Sequence, residues 1–192
     1  MKKLFLLLAL PFIIFLLSVQ TSPSVPRRNV EPAFSDITVT SSSSHLLLFA
    51  MLTNSFTDKM LQGLHSGVPI EFSFFVELAP TEQGWSSDKR ISIDSRHLLS
   101  YDTIRENYTV EIEESGKRFF TFDDLRAAKK ATNEINGLKV IRLEKLQLDT
   151  TYTLRIRAEL YKKNLPMGLH KIIPFASWWD IQTQWHTITF TL

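Results

Sequence analysis

The sequence predicts a mainly β protein, an antiparallel β-sandwich of immunoglobulin-like kind with two short inserted helices. Short segments with period-two alternation of apolar and polar residues recur from Ser35 to the end of the chain. Only two stretches carry helical periodicity, whereas a parallel α/β fold needs helices between most strands. Turn signals such as Ser41 to Ser44 and Glu114-Ser115-Gly116-Lys117 separate the strands at short intervals. This spacing suits two packed antiparallel sheets. An α+β fold is the alternative.

Each element has a local reason. Ile37 and Val39 alternate with Thr38 and Thr40. His45 to Thr53 is almost wholly apolar and predicts a strand buried on both faces. Thr57 to Ser66 predicts a helix. Thr57 caps it, Asp58 suits the positive end of its dipole, and Met60, Leu61 and Leu64 share a face. Gly67 can end it in a left-handed conformation. Val68 to Leu78 is a strand with Val68, Ile70, Phe72, Phe74, Val76 and Leu78 inward. Glu71, Ser73, Phe75 and Glu77 lie on its other face.

Lys89 to Ile104 and Asn107 to Glu113 predict a pair of strands, followed by a turn into Arg118 to Phe122. A second helix is expected with Thr121 as cap and Asp123 and Asp124 in its first turn. Leu125, Ala128, Thr132 and Ile135 form its buried stripe, and Asn136-Gly137 stops it. Leu138 to Leu143 is a short strand. Thr151 to Lys162 is a long one, with Tyr152, Leu154, Ile156, Ala158 and Leu160 inward. Arg155, Arg157 and Glu159 face the other way. A last strand is expected within Gln182 to Leu192.

The N-terminus sets the destination. Lys2 and Lys3 precede an uncharged run from Leu4 to Val19, and a small polar exit follows. That is an export signal. Residues 1–24 are read as a signal peptide or an N-terminal membrane anchor. Residues 25–34 are a Pro/Ser-rich tether, and 35–192 are the domain. Membrane contact through residues 4–19 is expected if the leader is uncleaved. The expected location is periplasmic, either soluble or held at the inner membrane.

Composition excludes several function classes. The leader holds two of the 22 basic residues, which leaves 20 against 20 acidic ones. A neutral domain has no electrostatic footprint for nucleic acid. The chain has no Cys, so disulfides, zinc thiolates and thiol catalysis are all excluded. The five His residues show no HxH or HExxH spacing, and no Gly-x-Ser-x-Gly elbow occurs. No cofactor, metal or catalytic residue is expected.

Several segments occur together in one order. They are Leu52-Thr53-Asn54-Ser55-Phe56 with Gly67-Val68-Pro69-Ile70, Tyr101-Asp102 before Tyr108, and Leu125 and Ala128 followed by Asn136-Gly137-Leu138. Tyr152 to Leu160 and Trp178-Trp179-Asp180 with Trp185 complete the set. The pattern resembles an exported bacterial family classed as a domain of unknown function, over about residues 35 to 192. Ser55 stands where that pattern has Gly. The resemblance implies an envelope protein of Gram-negative bacteria, sometimes encoded beside a membrane sensor kinase. It carries over no activity and no catalytic residue.

The candidate partner-binding residues are Trp178, Trp179, Asp180, Trp185, Arg155 and Arg157. Three of the four tryptophans fall within eight residues. They suit an aromatic platform for a partner or a membrane interface, or alternatively one end of the core. Arg155 and Arg157 suit a carboxylate or phosphate clamp. The competing expectation is an ion ladder with Glu71, Glu77, Glu111 or Glu113. The leading expectation is therefore a non-enzymatic envelope protein that binds another protein. The rival is a carbohydrate-binding protein or hydrolase with a cleft at the Trp-rich end.

Overall fold

The computed structural model describes residues 31–85, 88–160 and 181–192. The leader, most of the tether, and Trp178, Trp179 and Asp180 lie outside the described residues. Among the described residues, no helix is long and apolar enough to cross a membrane.

Nine described strands form two antiparallel sheets. They are β1 (Ala33–Ser41), β2 (His45–Thr53), β3 (Ile70–Pro80), β4 (Ile91–Asp102), β5 (Asn107–Glu113), β6 (Lys117–Phe122), β7 (Glu134–Arg142), β8 (Thr151–Leu160) and β9 (His186–Thr191). The smaller sheet has the order β1-β2-β7. The larger has the order β6-β5-β4-β3-β8-β9. Two helices, α1 (Asp58–His65) and α2 (Leu125–Asn133), complete the described elements together with two 3-10 turns. The chain is mainly β.

One continuous core draws on both sheets and both helices. It includes Leu46, Leu48 and Leu52 of β2, Ile135 and Leu138 of β7, and Phe72, Phe74 and Val76 of β3. Leu154 and Ile156 of β8, Met60 and Leu64 of α1, and Ala128 of α2 also belong to it. The alternation in β3 drives this arrangement. Its even-numbered residues from Ile70 to Leu78 are buried, and so are the facing residues of β8 from Tyr152 to Leu160.

Helix α1 forms where the capping signals place it. The Thr57 hydroxyl accepts a hydrogen bond from the Met60 N–H at 3.3 Å. Gly67, just past the end, has φ +87°, a conformation that a side chain would strain.

Other expectations need correction. Helix α2 starts at Leu125, and its cap is Asp124, not Thr121. The Asp124 carboxylate accepts the Ala127 N–H at 3.0 Å, while Thr121 is held in β6 opposite Thr109. Ile135 is buried, but from a strand: the chain passes from α2 directly into β7 at Glu134. Asn136-Gly137 therefore lies inside β7 and does not end the helix. The β2–β7 register shifts beside it, and Gly137 takes φ +82° against the Phe49 ring.

Strand β2 is not sealed on both faces. Leu46, Leu48, Ala50 and Leu52 are buried, and the residues between them are only half covered. Its sheet has three strands, too few to demand a second cover. The tether boundary moves as well, since Ala33 and Phe34 already pair with Thr53 and Leu52.

The two faces of β3 make a direct test. Phe74 is fully buried, whereas Phe75 is partly exposed. Phe74→Ala is expected to cost about 3–5 kcal/mol in denaturant unfolding. Phe75→Ala is expected to cost clearly less. The reverse order would mean that the faces are misassigned.

A candidate functional site on the outer face of the large sheet

The face of the large sheet turned away from the core is built by register. Phe75 of β3 lies opposite Arg157 of β8, and Glu77 lies opposite Arg155. Thr187 of β9 lies on the far side of Arg155. Two tryptophans reach this face from outside the strands. Trp185 immediately precedes β9. Trp85 follows Gly84, which takes φ +62° after the 3-10 turn Thr81–Gln83.

These groups form a layer of guanidinium and aromatic rings. Arg155 Cζ lies 4.0 Å from the Trp85 ring centre and 4.4 Å from that of Trp185. Arg157 Cζ lies 4.8 Å from the Trp185 ring centre and 5.1 Å from that of Phe75. One indole therefore covers two cations. Such contacts are attractive because the ring face is electron-rich, and they strengthen when water is excluded.

Each cation also has a carboxylate. Arg155 Nε donates to Glu77 Oε2 at 2.8 Å, and Nη2 donates to the same oxygen. Arg157 Nη2 lies 2.8 Å from Glu159 Oε1, and Gln182 Nε2 donates to that same oxygen at 3.1 Å. Arg157 Nε is buried and has no hydrogen-bond partner among the described residues. Its ring contacts replace part of its lost hydration.

The arrangement decides between the two sequence readings of these arginines. Both guanidiniums are already neutralised, so a phosphate or free carboxylate would have to displace Glu77 or Glu159. The expected ion ladder forms, with Glu77 as the partner of Arg155. Glu111 and Glu113 are used elsewhere on the same face. Lys117 Nζ lies 2.6 Å from Glu111 Oε1, and Arg96 Nη2 lies 2.6 Å from Glu113 Oε2. Those carboxylates push the pKa values of Lys117 and Arg96 up. Among the described residues, no three His, Asp or Glu side chains converge as a metal site.

Sequence reasoning missed two participants. Trp85 has no local signal, because it enters the layer only through the turn at Gly84. The second is a buried polar junction at the opposite side of the sheet. His97 of β4 is fully buried, and its Nδ1 donates to the Thr132 carbonyl of α2 at 2.9 Å. Its Nε2 comes within 3.4 Å of Glu114 Oε1, without the alignment of a hydrogen bond. Glu114 also accepts from Arg118 Nη2 at 2.8 Å and from the Asn136 N–H at 3.2 Å. This junction ties β4, the β5–β6 turn, α2 and β7 together. A clue lay in His97 falling on the apolar face of β4, in register with Phe72.

Two outcomes follow. A double-mutant cycle on Trp185→Ala and Arg157→Ala should give a coupling of about 0.5–2 kcal/mol in unfolding free energy. A coupling near zero would mean the ring contact adds nothing. Glu114→Ala should destabilise by about 1–3 kcal/mol, because it removes the buried carboxylate that accepts from Arg118 and the Asn136 N–H and leaves a void beside His97. Glu113→Ala, which breaks a more exposed pair, should cost only about 0–1 kcal/mol.

No curated protein matches the chain. A family model does match, over residues 31–189. By that match, which takes in both sheets and the aromatic layer, the chain belongs to the family described as Domain of unknown function (DUF4390).

Proposed function

We propose that this is a non-enzymatic exported protein of the bacterial envelope that binds another protein through the outer face of its large sheet. The single observation that carries the reading is the Trp85–Arg155–Trp185–Arg157–Phe75 layer. Trp and Arg are the residue types that dominate binding hot spots. Here their rotamers are fixed in advance by ion pairs and ring contacts, so less side-chain freedom is lost on docking. The carboxylates beside the rings, Glu77 and Glu159, are engaged by arginines, which favours a docking face over a hydrolytic cleft.

In this reading the two sheets form an immunoglobulin-like sandwich that begins at Ala33. It stands behind the leader 1–24 and the shortened tether, on the periplasmic side of the inner membrane. A membrane sensor is the partner class that the family resemblance suggests.

A photoreactive residue at Thr187, beside Arg155 on this face, tests the proposal in cells. A protein adduct of defined mass is expected, and it should fade with Trp185→Ala while the melting temperature falls only slightly. A matching probe at Ile104, exposed in the β4–β5 turn, should not give it. No adduct at Thr187, or the same adduct at both positions, would overturn the reading.

A further inference from the structure

Strand β6 ends the large sheet and pairs only with β5 among the described strands. Natural sheets blunt such edges with bulges, prolines or charges. The edge strand β1 does so: its pairing breaks between Ser35 and Thr38, with Asp36 at φ +52°. Strand β6 does not. Its register with β5 runs without interruption from Lys117 to Phe122, and two aromatic rings stand exposed on it. Phe119 is 64% exposed and Phe120 39%.

We infer that this edge pairs antiparallel with β6 of a second copy of the chain, about a two-fold axis at Phe120. The sequence of the strand selects the occupant. A two-fold axis perpendicular to a continuous sheet keeps each residue on its own face, so facing residues must share a face. Lys117, Phe119 and Thr121 lie on the outer face with Glu113, Glu111 and Thr109. Arg118, Phe120 and Phe122 lie on the inner face.

Centring on Phe120 sets Phe119 against Thr121 and Arg118 against Phe122, and brings Lys117 level with Asp123, the bend residue just past the strand, twice over. An ammonium has three donors, so Lys117 can keep Glu111 and reach the second copy's Asp123. No like charges meet. Centring on Phe119 instead leaves Lys117 facing Thr121 and sets Phe122 against Gly116, a turn residue with φ +110°. Centring on Thr121 directs Arg118 to Asp124, whose carboxylate already caps α2. Beneath the strand lies an open groove of about 180 Å³, its apolar side formed by Ile112, Phe120, Phe122 and Ala131 and its polar side by Glu114, Arg118, Glu134 and Asn136. The second copy's Phe120 would cover it.

Because the chain has no Cys, single cysteines in the full-length protein read the register directly. Phe120→Cys should form a disulfide-linked dimer under mild oxidation, since facing Cα atoms in an antiparallel pair lie about 4.5–5.5 Å apart. Lys117→Cys mixed with Asp123→Cys should give the mixed dimer, and neither should link strongly to itself. This pair uses exposed positions and serves if Phe120→Cys does not fold. Asp123→Lys should weaken self-association roughly tenfold or more in sedimentation, with an unchanged melting temperature. A wild-type chain that sediments as a monomer overturns the proposal and leaves the edge to a strand from another polypeptide. A dimer that neither cysteine set traps, or that Asp123→Lys leaves intact, overturns the register.

Discussion

Everything in this molecule hangs on the need to cover β3 from both sides. It lies inside the six-stranded sheet, between β4 and β8, and nine of its eleven residues are buried. The inner face is simple, because Ile70, Phe72, Phe74, Val76 and Leu78 pack into one core with β2, β7 and the helices. The outer face carries Glu71, Ser73, Phe75 and Glu77, and no second sheet is described there. A carboxylate cannot be taken from water without a compensating charge or donor. Arg155 answers Glu77. Trp85 and Trp185 in turn shield the guanidinium that does so. The aromatic layer is thus first a cover for β3, and its readiness to bind follows from that.

The same demand explains why a chain without cysteines carries so many ion pairs on this face. Strand rows on the outer face alternate charge: Lys117 with Glu111, Arg96 with Glu113, Arg157 with Glu159, and Arg155 with Glu77. Taken singly, exposed pairs contribute little. Their arrangement rules out a slipped register, since a one-residue shift would carry each charge to the core face. The His97–Glu114 junction does the comparable task across the core. It fixes where α2 and β7 meet the large sheet, through one buried imidazole and one buried carboxylate.

Much of this was legible in the residues themselves. Period-two alternation placed β3 and β8 and assigned their faces, and the Thr57 cap and Gly67 bounded α1. What failed did so where long-range pairing overrode a local signal. Thr121 has the makings of a helix cap, but β5 claims it as strand. Asn136-Gly137 looks like a stop, yet the backbone carries it through a bulge against Phe49. Ile135 kept the right burial on the wrong element, because a helix that runs straight into a strand preserves one apolar face across the junction. Within the site, Arg155 and Arg157 could be placed on one face from spacing alone. Trp85 could not, since nothing in a sequence tells where a turn will lay a distant ring.

The two exposed features of the large sheet sit at its opposite ends, and geometry keeps them independent. From β8 to β6 there are four strand steps, or about 19 Å at 4.8 Å per step. A partner seated on Trp185 therefore leaves the β6 edge accessible. In the proposed dimer a further step crosses the two-fold axis, so nine steps separate the two copies of β8. At about 20–25° of twist per step, the two platforms are turned roughly half a revolution apart. They cannot lie flat against one partner molecule. Each must take its own, so that dimerisation at β6 would bring two bound partners together without either touching the edge that joins them.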